Sequence, residues 1–319
     1  MLSVNRAAYK LVEKLCDDKD DYGVAVSKMH SGATVIDAGI QAKGGSAAGG
    51  MITEICMGGS GQARILLMHY GTLELPTVQI QTHHPAIATL GSQSAAWQIK
   101  SGDFTAIGSG PARALALKPK DMYEDIGYKD EADLAIIVLE TSQKPPNEIV
   151  DKLASECRVQ PSRLFIILTP TTSLAGSVQI SGRIIETGIH KLRKLGLDPR
   201  TIEYACGSAP VAPVHPKFTD AMGRTNDAIL YGGVVYVALR HDDDEKLKAI
   251  VNNATSKASR WYGQLFKEIF KQANCDFYKI DPLLFAPAAL VINNLETGSV
   301  HRAGEVNVEM LKRSIGLVA

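Results

Sequence analysis

The chain has 319 residues, with 34 Lys and Arg balanced by 34 Asp and Glu, so its formal net charge is zero. A neutral chain lacks the basic surface that drives non-specific nucleic-acid binding, so we expect no nucleic-acid partner. Hydrophobic residues make up 45% of the sequence, but no apolar run approaches the ~20 residues that span a bilayer, so we expect no membrane partner. The length favours two domains.

The first residues predict a helix rather than a signal peptide. Arg6, Lys10 and Glu13 interrupt any apolar core within residues 1–18. The cysteines are scattered, odd in number and never in CxxC spacing: Cys16, Cys56, Cys157, Cys206 and Cys275. This pattern argues against a disulfide framework or a zinc site and favours reduced thiols, so we expect a cytoplasmic protein.

Residues 1–122 are interpreted as a strand-rich N-terminal domain. Short runs with β-branched residues, separated by glycines, predict strands at 24–29, 33–38, 51–57, 65–69, 78–82 and 112–117. The small residues of 86–99 predict a helix, and Pro85 suits its first turn. Segment 118–132 is charged and broken by proline and glycine, which indicates a domain boundary.

Residues 123–319 are interpreted as an α/β domain. Predicted strands lie at 134–139, 164–168, 201–206 and 234–239, and predicted helices at 147–157, 174–195 and 256–273, with a closing helix near the C-terminus. A loop is predicted at 207–228, and its polar cluster, 223–227, has two interpretations, a binding segment or a helix cap. The whole pattern predicts an α/β (α+β) fold with mixed sheets.

The predicted helix 174–195 carries one narrow polar stripe on an otherwise apolar surface. At about 100° per residue, Gln179, Arg183, Glu186 and His190 fall within an arc of roughly 60°. A helix that is apolar nearly all round is usually buried, and buried charges need compensation. Two interpretations stay open: a structural ion pair at i,i+3, or the floor of a cleft in which the carboxylate acts as an acid or base.

Other motifs are weak. His83 and His84 are adjacent and would point to opposite sides of an extended segment, and the remaining histidines lack metal-ligand spacing, so we predict no metal site. The run 108–110 begins a dinucleotide-binding pattern, but Arg113 stands where its third glycine belongs.

Five longer stretches carry a resemblance to a known family. They are MLSVN at 1–5, EICMGG at 54–59, HPAIATLGSQSAAW at 84–97, GSVQISGRIIETGIHKL at 176–192 and APVHPKFTDAMGRTNDAILYGG at 212–233. In these stretches the chain resembles the methenyltetrahydromethanopterin cyclohydrolases, enzymes of one-carbon metabolism in methanogenic archaea and some methylotrophic bacteria. The likeness covers nearly the whole chain.

The resemblance implies hydrolysis of a 5,10-methenyl pterin cation to the 5-formyl compound, without a metal or redox cofactor. It also implies a ligand pocket between two α/β domains and a homotrimer. Carried over by motif, Glu186 is expected to activate water, and Arg183 to hold Glu186. Proton transfer from water to a positioned carboxylate contributes typically ~10²–10⁴-fold to a rate.

Contacts with the pterin substrate are implied for two segments. They are Ser92, Gln93 and Ser94 in the first, and Arg224, Asn226 and Asp227 in the second. Asn226 and Asp227 suit the donor and acceptor edges of a pterin, and Arg224 an anionic tail. In some relatives a lysine within the Gly-Ser-Gln segment faces the pocket. Here Ser94 stands in the middle of that segment and the next lysine is Lys100, so the group that serves instead stays open. A cyclohydrolase acting on a folate-type pterin and a non-catalytic pterin-binding paralogue are the alternatives.

Overall fold

The structure, a computed structural model, describes residues 2–276 and 279–318. Its strands are β1 (Ala25–Lys28), β2 (Thr34–Asp37), β3 (Gly61–Tyr70), β4 (Leu73–Thr82), β5 (Trp97–Ser101), β6 (Phe104–Ser109), β7 (Ala135–Glu140), β8 (Leu164–Leu168), β9 (Ile202–Pro210), β10 (Val234–Leu239), β11 (Ala289–Asn294) and β12 (Val300–Gly304). Its helices are α1 (Val4–Asp17), α2 (Lys19–Tyr22), α3 (Ser46–Cys56), α4 (Pro85–Ala88), α5 (Ala112–Ala116), α6 (Lys120–Ile126), α7 (Asn147–Cys157), α8 (Leu174–Ser181), α9 (Ile184–Lys194), α10 (Phe218–Gly232), α11 (Asp244–Asn252), α12 (Phe266–Gln272) and α13 (Val308–Ile315).

The chain divides into two compact units, each built from two separate stretches. The first unit comprises Met1–Gln62 and Ala86–Gln179, and the second Ala63–Pro85 and Ile180–Ala319. The boundary predicted after residue 122 falls within α6, inside the first unit. The described residues form two six-stranded sheets, each with parallel and antiparallel pairs. The predicted mixed α/β class is therefore confirmed.

The first unit is a sheet covered by helices on both faces. Its strand order is β1-β2-β8-β7-β6-β5, and β8 runs parallel to both β2 and β7. Successive residues of β7 enter different clusters: Ile136 packs with residues of α1 and α3, and Ile137 with residues of α7. Such continuous apolar strands are typical of a sheet that is buried on both faces.

Three predictions in this unit are wrong. Residues 51–57 belong to helix α3, where Gly49 allows close contact with α8: a Cβ there would lie 2.6 Å from Cβ of Val178. Residues 112–117 hold the short helix α5, in keeping with the helix propensity of alanine. The helix predicted at 86–99 stops early, because α4 passes into a π-helical turn and the chain then enters β5.

The second unit has a sheet of order β12-β11-β10-β9-β4-β3. Helix α9 packs on β9 and β10, and the missing side chain of Gly188 permits this approach, because a Cβ there would lie 3.2 Å from Val235. Helices α10, α12 and α13 pack together around an apolar cluster that includes Phe266, Leu230 and Leu311.

Three predictions after residue 173 are also wrong. The helix predicted at 174–195 is two helices, α8 and α9, with a break between them. The loop predicted at 207–228 contains the end of β9 and most of α10. The helix predicted at 256–273 is a short 3-10 turn, Ser256–Ala258, followed later by α12. Among the described residues, no helix is long and apolar enough to cross a membrane.

Candidate active site

The break between α8 and α9 places Arg183 and Glu186 at the start of a helix. Arg183 is the N-cap of α9, with φ −85° and ψ 5°. Its backbone N–H donates to the carbonyl of Ile180 at 3.0 Å, and its carbonyl accepts from Thr187 at 2.8 Å. Glu186 is therefore the third helical residue. The four polar residues do not form one stripe on a single helix, because the helix is broken before Arg183. Arg183 and Glu186 nevertheless lie within one turn at the start of α9.

Helix α9 is buried nearly all round in its first two turns, from Ile184 to Ile189. Ile185, Gly188 and Ile189 lie on the face that meets the sheet, since a Cβ on Gly207 of β9 would contact Ile185 and one on Gly188 would contact β10. Glu186 lies away from that face and is only 8% exposed. Helix N-termini attract negatively charged groups, and Glu186 lies in the first turn of α9.

Ser92 and Gln93 belong to a short π-helical turn in the first unit, Thr89–Gln93, which we call the π-turn. The N–H of Ser94 donates to the carbonyl of Thr89 at 2.9 Å, and Ser94 then leaves the helical conformation with φ −53° and ψ 135°. The Ser92 hydroxyl donates to the carbonyl of Cys56 at 2.6 Å. Ser92, Gln93 and Ser94 are all buried. Single π-turns occur frequently at functional sites.

A fully buried arginine, which the sequence reasoning missed, holds the π-turn. Nη1 of Arg113 donates to the carbonyls of Leu90 and Ser92 at 3.0 and 3.2 Å, and its Nε donates to Lys118 at 2.9 Å. The Tyr123 hydroxyl donates to the carbonyl of Gly91 at 2.9 Å. Burial raises the pKa of Tyr123 to about 12, so its phenol stays a donor at neutral pH.

The three predicted contacts on α10 differ in what their side chains do. Arg224 is partly exposed, with a 3.4 Å contact from Nη1 to the carbonyl of Pro213. Nδ2 of Asn226 donates to the carbonyl of Met222, one turn earlier in the same helix, at 2.9 Å. Thus α10 carries these residues at helical spacing rather than on a flexible loop.

Asp227 is engaged by two other helices. Its carboxylate accepts from the backbone N–H of Phe266 in α12 at 2.8 Å and from the Ser314 hydroxyl in α13 at 2.6 Å. It is only 1% exposed, and burial raises the pKa of its carboxyl to about 7. In the structure these bonds join α10, α12 and α13.

A charged cavity of about 430 Å³ lies elsewhere in the second unit. It is lined by Gly196, Asp198, Thr201, Arg240, His241, Asp242, Lys246 and Glu296. None of the predicted site residues lines it, and Arg240 already pairs with Glu203 and Glu296 at 2.7 and 3.2 Å. Within the part of the chain that the structure describes, no three His, Cys, Asp or Glu side chains form a cluster able to hold a metal ion.

The mixed α/β fold thus nearly buries an arginine and a glutamate within one helical turn, and a carboxylate is one of the groups that enzymes use for acid–base chemistry. Residues 3–315 match the model of the family described as Cyclohydrolase (MCH). The chain belongs to this cyclohydrolase family, as the sequence resemblance indicated.

Curated relatives support the same assignment over the full length. The methenyltetrahydromethanopterin cyclohydrolase of Methanothermobacter marburgensis is 47% identical over 99% of this chain and 100% of that protein. The enzymes of the same name from Methanocaldococcus jannaschii and Methanospirillum hungatei are 46% and 43% identical, each over 99% of this chain and 99% of the relative.

Proposed function

We propose that this protein is a hydrolase that opens the cyclic amidine of 5,10-methenyltetrahydromethanopterin to give 5-formyltetrahydromethanopterin, in the one-carbon metabolism of methanogenesis or methylotrophy. The observation that carries the proposal is the full-length identity of 47% to a protein of that name. At such identity and coverage, no domain of the relative is left without a counterpart. A folate-type methenyl pterin is the alternative substrate.

Glu186 is the proposed general base. The bridging carbon of the methenyl cation is already electrophilic, so the reaction needs mainly a positioned water and a group that accepts its proton. Glu186 takes a proton as the water oxygen bonds to the bridging carbon. The same carboxyl then returns the proton to N10 as the C–N10 bond breaks, and the hydroxyl group on the former bridging carbon releases its proton to solvent. These steps leave a neutral formyl group on N5 and regenerate the carboxylate, so that the cation and water give the formyl compound and one proton.

Arg183 is the proposed partner of Glu186. It caps the helix on which Glu186 occupies the third position, and it is 7% exposed. A guanidinium at this point supports the negative charge of Glu186 before water is deprotonated. The proposed mechanism uses no metal and no redox cofactor.

The proposed substrate contacts keep the residues that the resemblance implies. Ser92, Gln93 and Ser94 would contact the pterin, with Asn226 and Asp227 at its donor and acceptor edges and Arg224 at an anionic tail. The contacts of Asp227 with α12 and α13 support a further role, because they fix the helix that carries Asn226 and Arg224.

A homotrimer is the proposed assembly. Strand β3 lies at the edge of its sheet, and three consecutive side chains, Leu66, Leu67 and Met68, are 45%, 68% and 38% exposed. An exposed apolar edge strand offers a surface on which another chain can pair, so β3 supports association between copies of this chain. Light scattering that gives three times the 34.3 kDa of one chain would support the trimer, and a monomer mass would refute it.

The proposed location is the cytoplasm, where thiols stay reduced. None of the five cysteines, all of which lie in the described residues, forms a disulfide, and Cys56 and Cys157 are buried. A cell fractionation that finds the protein with cytoplasmic markers would support this location.

The deciding experiment compares two methenyl pterins. Purified protein is mixed with the tetrahydromethanopterin and tetrahydrofolate forms, and ring opening is followed as the loss of their near-ultraviolet absorbance. We expect much faster decay with the tetrahydromethanopterin form. Faster decay with the folate form would favour the alternative substrate, and tight binding without decay of either would favour a non-catalytic pterin-binding protein.

A further inference from the structure

The last carbonyls of the π-turn need donors from elsewhere in the fold. At the C-terminal end of any helix, the final C=O groups have no intrahelical partner, and burying them unsatisfied is costly. Here the carbonyls of Leu90, Gly91 and Ser92 fall at that end, because the turn closes with the bond from Ser94 to Thr89.

Three different groups satisfy these carbonyls. Arg113 donates to Leu90 and Ser92, the Tyr123 hydroxyl donates to Gly91, and the N–H of Gly110 donates to Ser92 at 2.9 Å. The Arg113 guanidinium also lies 5.7 Å from the centre of the Tyr123 ring, within cation–π range. The two side chains therefore form one support under the π-turn.

Arg113 is held in one conformation because it is buried and makes several hydrogen bonds. Arg113 is fully buried and makes further contacts with the carbonyl of Lys118 at 2.9 Å and with Sδ of Met122 at 3.3 Å. The planar fork of arginine can satisfy several acceptors at once, which a lysine ammonium on a flexible stem does less well. A positive charge is also favourable at the C-terminal end of a helical turn.

We propose that Arg113 and Tyr123 are positioning residues for the cyclohydrolase reaction: they fix the π-turn so that Gln93 and Ser94, which follow it directly, meet the pterin in one conformation. This inference rests on the proposed function, since it takes Gln93 and Ser94 as substrate contacts. Neither Arg113 nor Tyr123 is itself assigned a substrate contact.

The chain offers a matched pair of variants for the test. Tyr123→Phe deletes a buried phenol that donates to a π-turn carbonyl at 2.9 Å. Tyr128→Phe deletes a buried phenol of the same unit that donates at the same distance to the carbonyl of Leu2 instead, and that also accepts from the N–H of Val4 at 3.3 Å. Both rings stay in place. Arg113→Lys is a third variant, which keeps the charge but loses the fork.

Steady-state kinetics with methenyltetrahydromethanopterin are measured well below the unfolding temperature of each variant. We expect KM to rise about two- to tenfold in Tyr123→Phe, the effect of losing one hydrogen bond, and more in Arg113→Lys. Tyr128→Phe should keep the wild-type KM while losing a similar amount of thermal stability. Unfolding is followed by circular dichroism.

The outcomes distinguish failure of the positioning role from failure of the proposed function. Equal KM values in Tyr123→Phe, Arg113→Lys and Tyr128→Phe, with an active wild type, would overturn the positioning role and leave the proposed function intact. A wild type that neither binds nor opens the pterin would overturn the proposed function and this inference together.

Discussion

Replacing Asp227 by asparagine tests whether this buried carboxyl is held protonated in the folded protein. Burial raises its pKa from 3.8 to about 7. The folded state then keeps a proton between these pH values that the unfolded state releases. The contribution of this carboxyl to the free energy of unfolding is therefore complete below pH ~4 and is lost as the pH rises to ~7. At about 1.4 kcal/mol per pKa unit, the loss is on the order of 4 kcal/mol.

The asparagine side chain has nearly the size of the protonated aspartic acid and, like it, carries no charge. Its Oδ1 can accept from Phe266 and its amide can donate to Ser314, so Asp227→Asn should equal the wild type near pH 4. By pH 8 it should be more stable by the same ~4 kcal/mol, a Tm difference on the order of 10 °C. The assay is thermal unfolding of both proteins across pH 4–8.

The control is Thr225→Val on the same helix. The Thr225 hydroxyl is buried and donates to the carbonyl of Ala221 at 3.0 Å. Its loss removes an uncharged group, so the Tm difference should not change with pH. Parallel pH profiles for wild type and Asp227→Asn would refute the reasoning. A raised KM with no change of the pH profile would instead indicate that Asp227 contacts the substrate.

Three further predictions concern packing, assembly and the catalytic pair. Gly49→Ala should destabilise the protein by about 1–3 kcal/mol, because the new Cβ would lie 2.6 Å from Val178; an unchanged Tm would contradict the close contact. Leu67→Glu should shift the mass measured by light scattering from trimer towards monomer, and an unaltered trimer would exclude β3 from the interface. Arg183→Lys keeps the charge but not the guanidinium geometry, so kcat should fall at least tenfold; wild-type kcat would remove Arg183 from the mechanism.

Elements with a strong local pattern were predictable from the sequence. The predicted bounds 147–157, 164–168 and 234–239 are those of α7, β8 and β10. Each has a strong signal of its own, either a helical period or an unbroken apolar run. Glycine-rich segments were less predictable, since whether a glycine marks a turn or a close contact depends on the partner element, as Gly49 against α8 illustrates.

Only the part of the candidate site that is formed by residues close together in the sequence was predictable. Arg183 and Glu186 are three residues apart, so the sequence could place them in one turn. The polar residues of 223–227 are typical of loops, but Asn226 bonds within its own helix and Asp227 bonds other helices. The hydrogen bond from Arg113 to the carbonyl of Leu90 joins residues 23 positions apart. A local sequence pattern does not predict such a tertiary contact.

The most direct test of the mechanism is the turnover of Glu186→Gln with methenyltetrahydromethanopterin. Glutamine matches glutamate in size and can still bond its neighbours, but it cannot accept a proton from water. We expect kcat to fall by ~10²–10⁴, the usual contribution of a positioned general base, with pterin affinity changed far less. Near-native turnover by this variant would contradict the role of Glu186 both as the base and as the donor of the proton to N10.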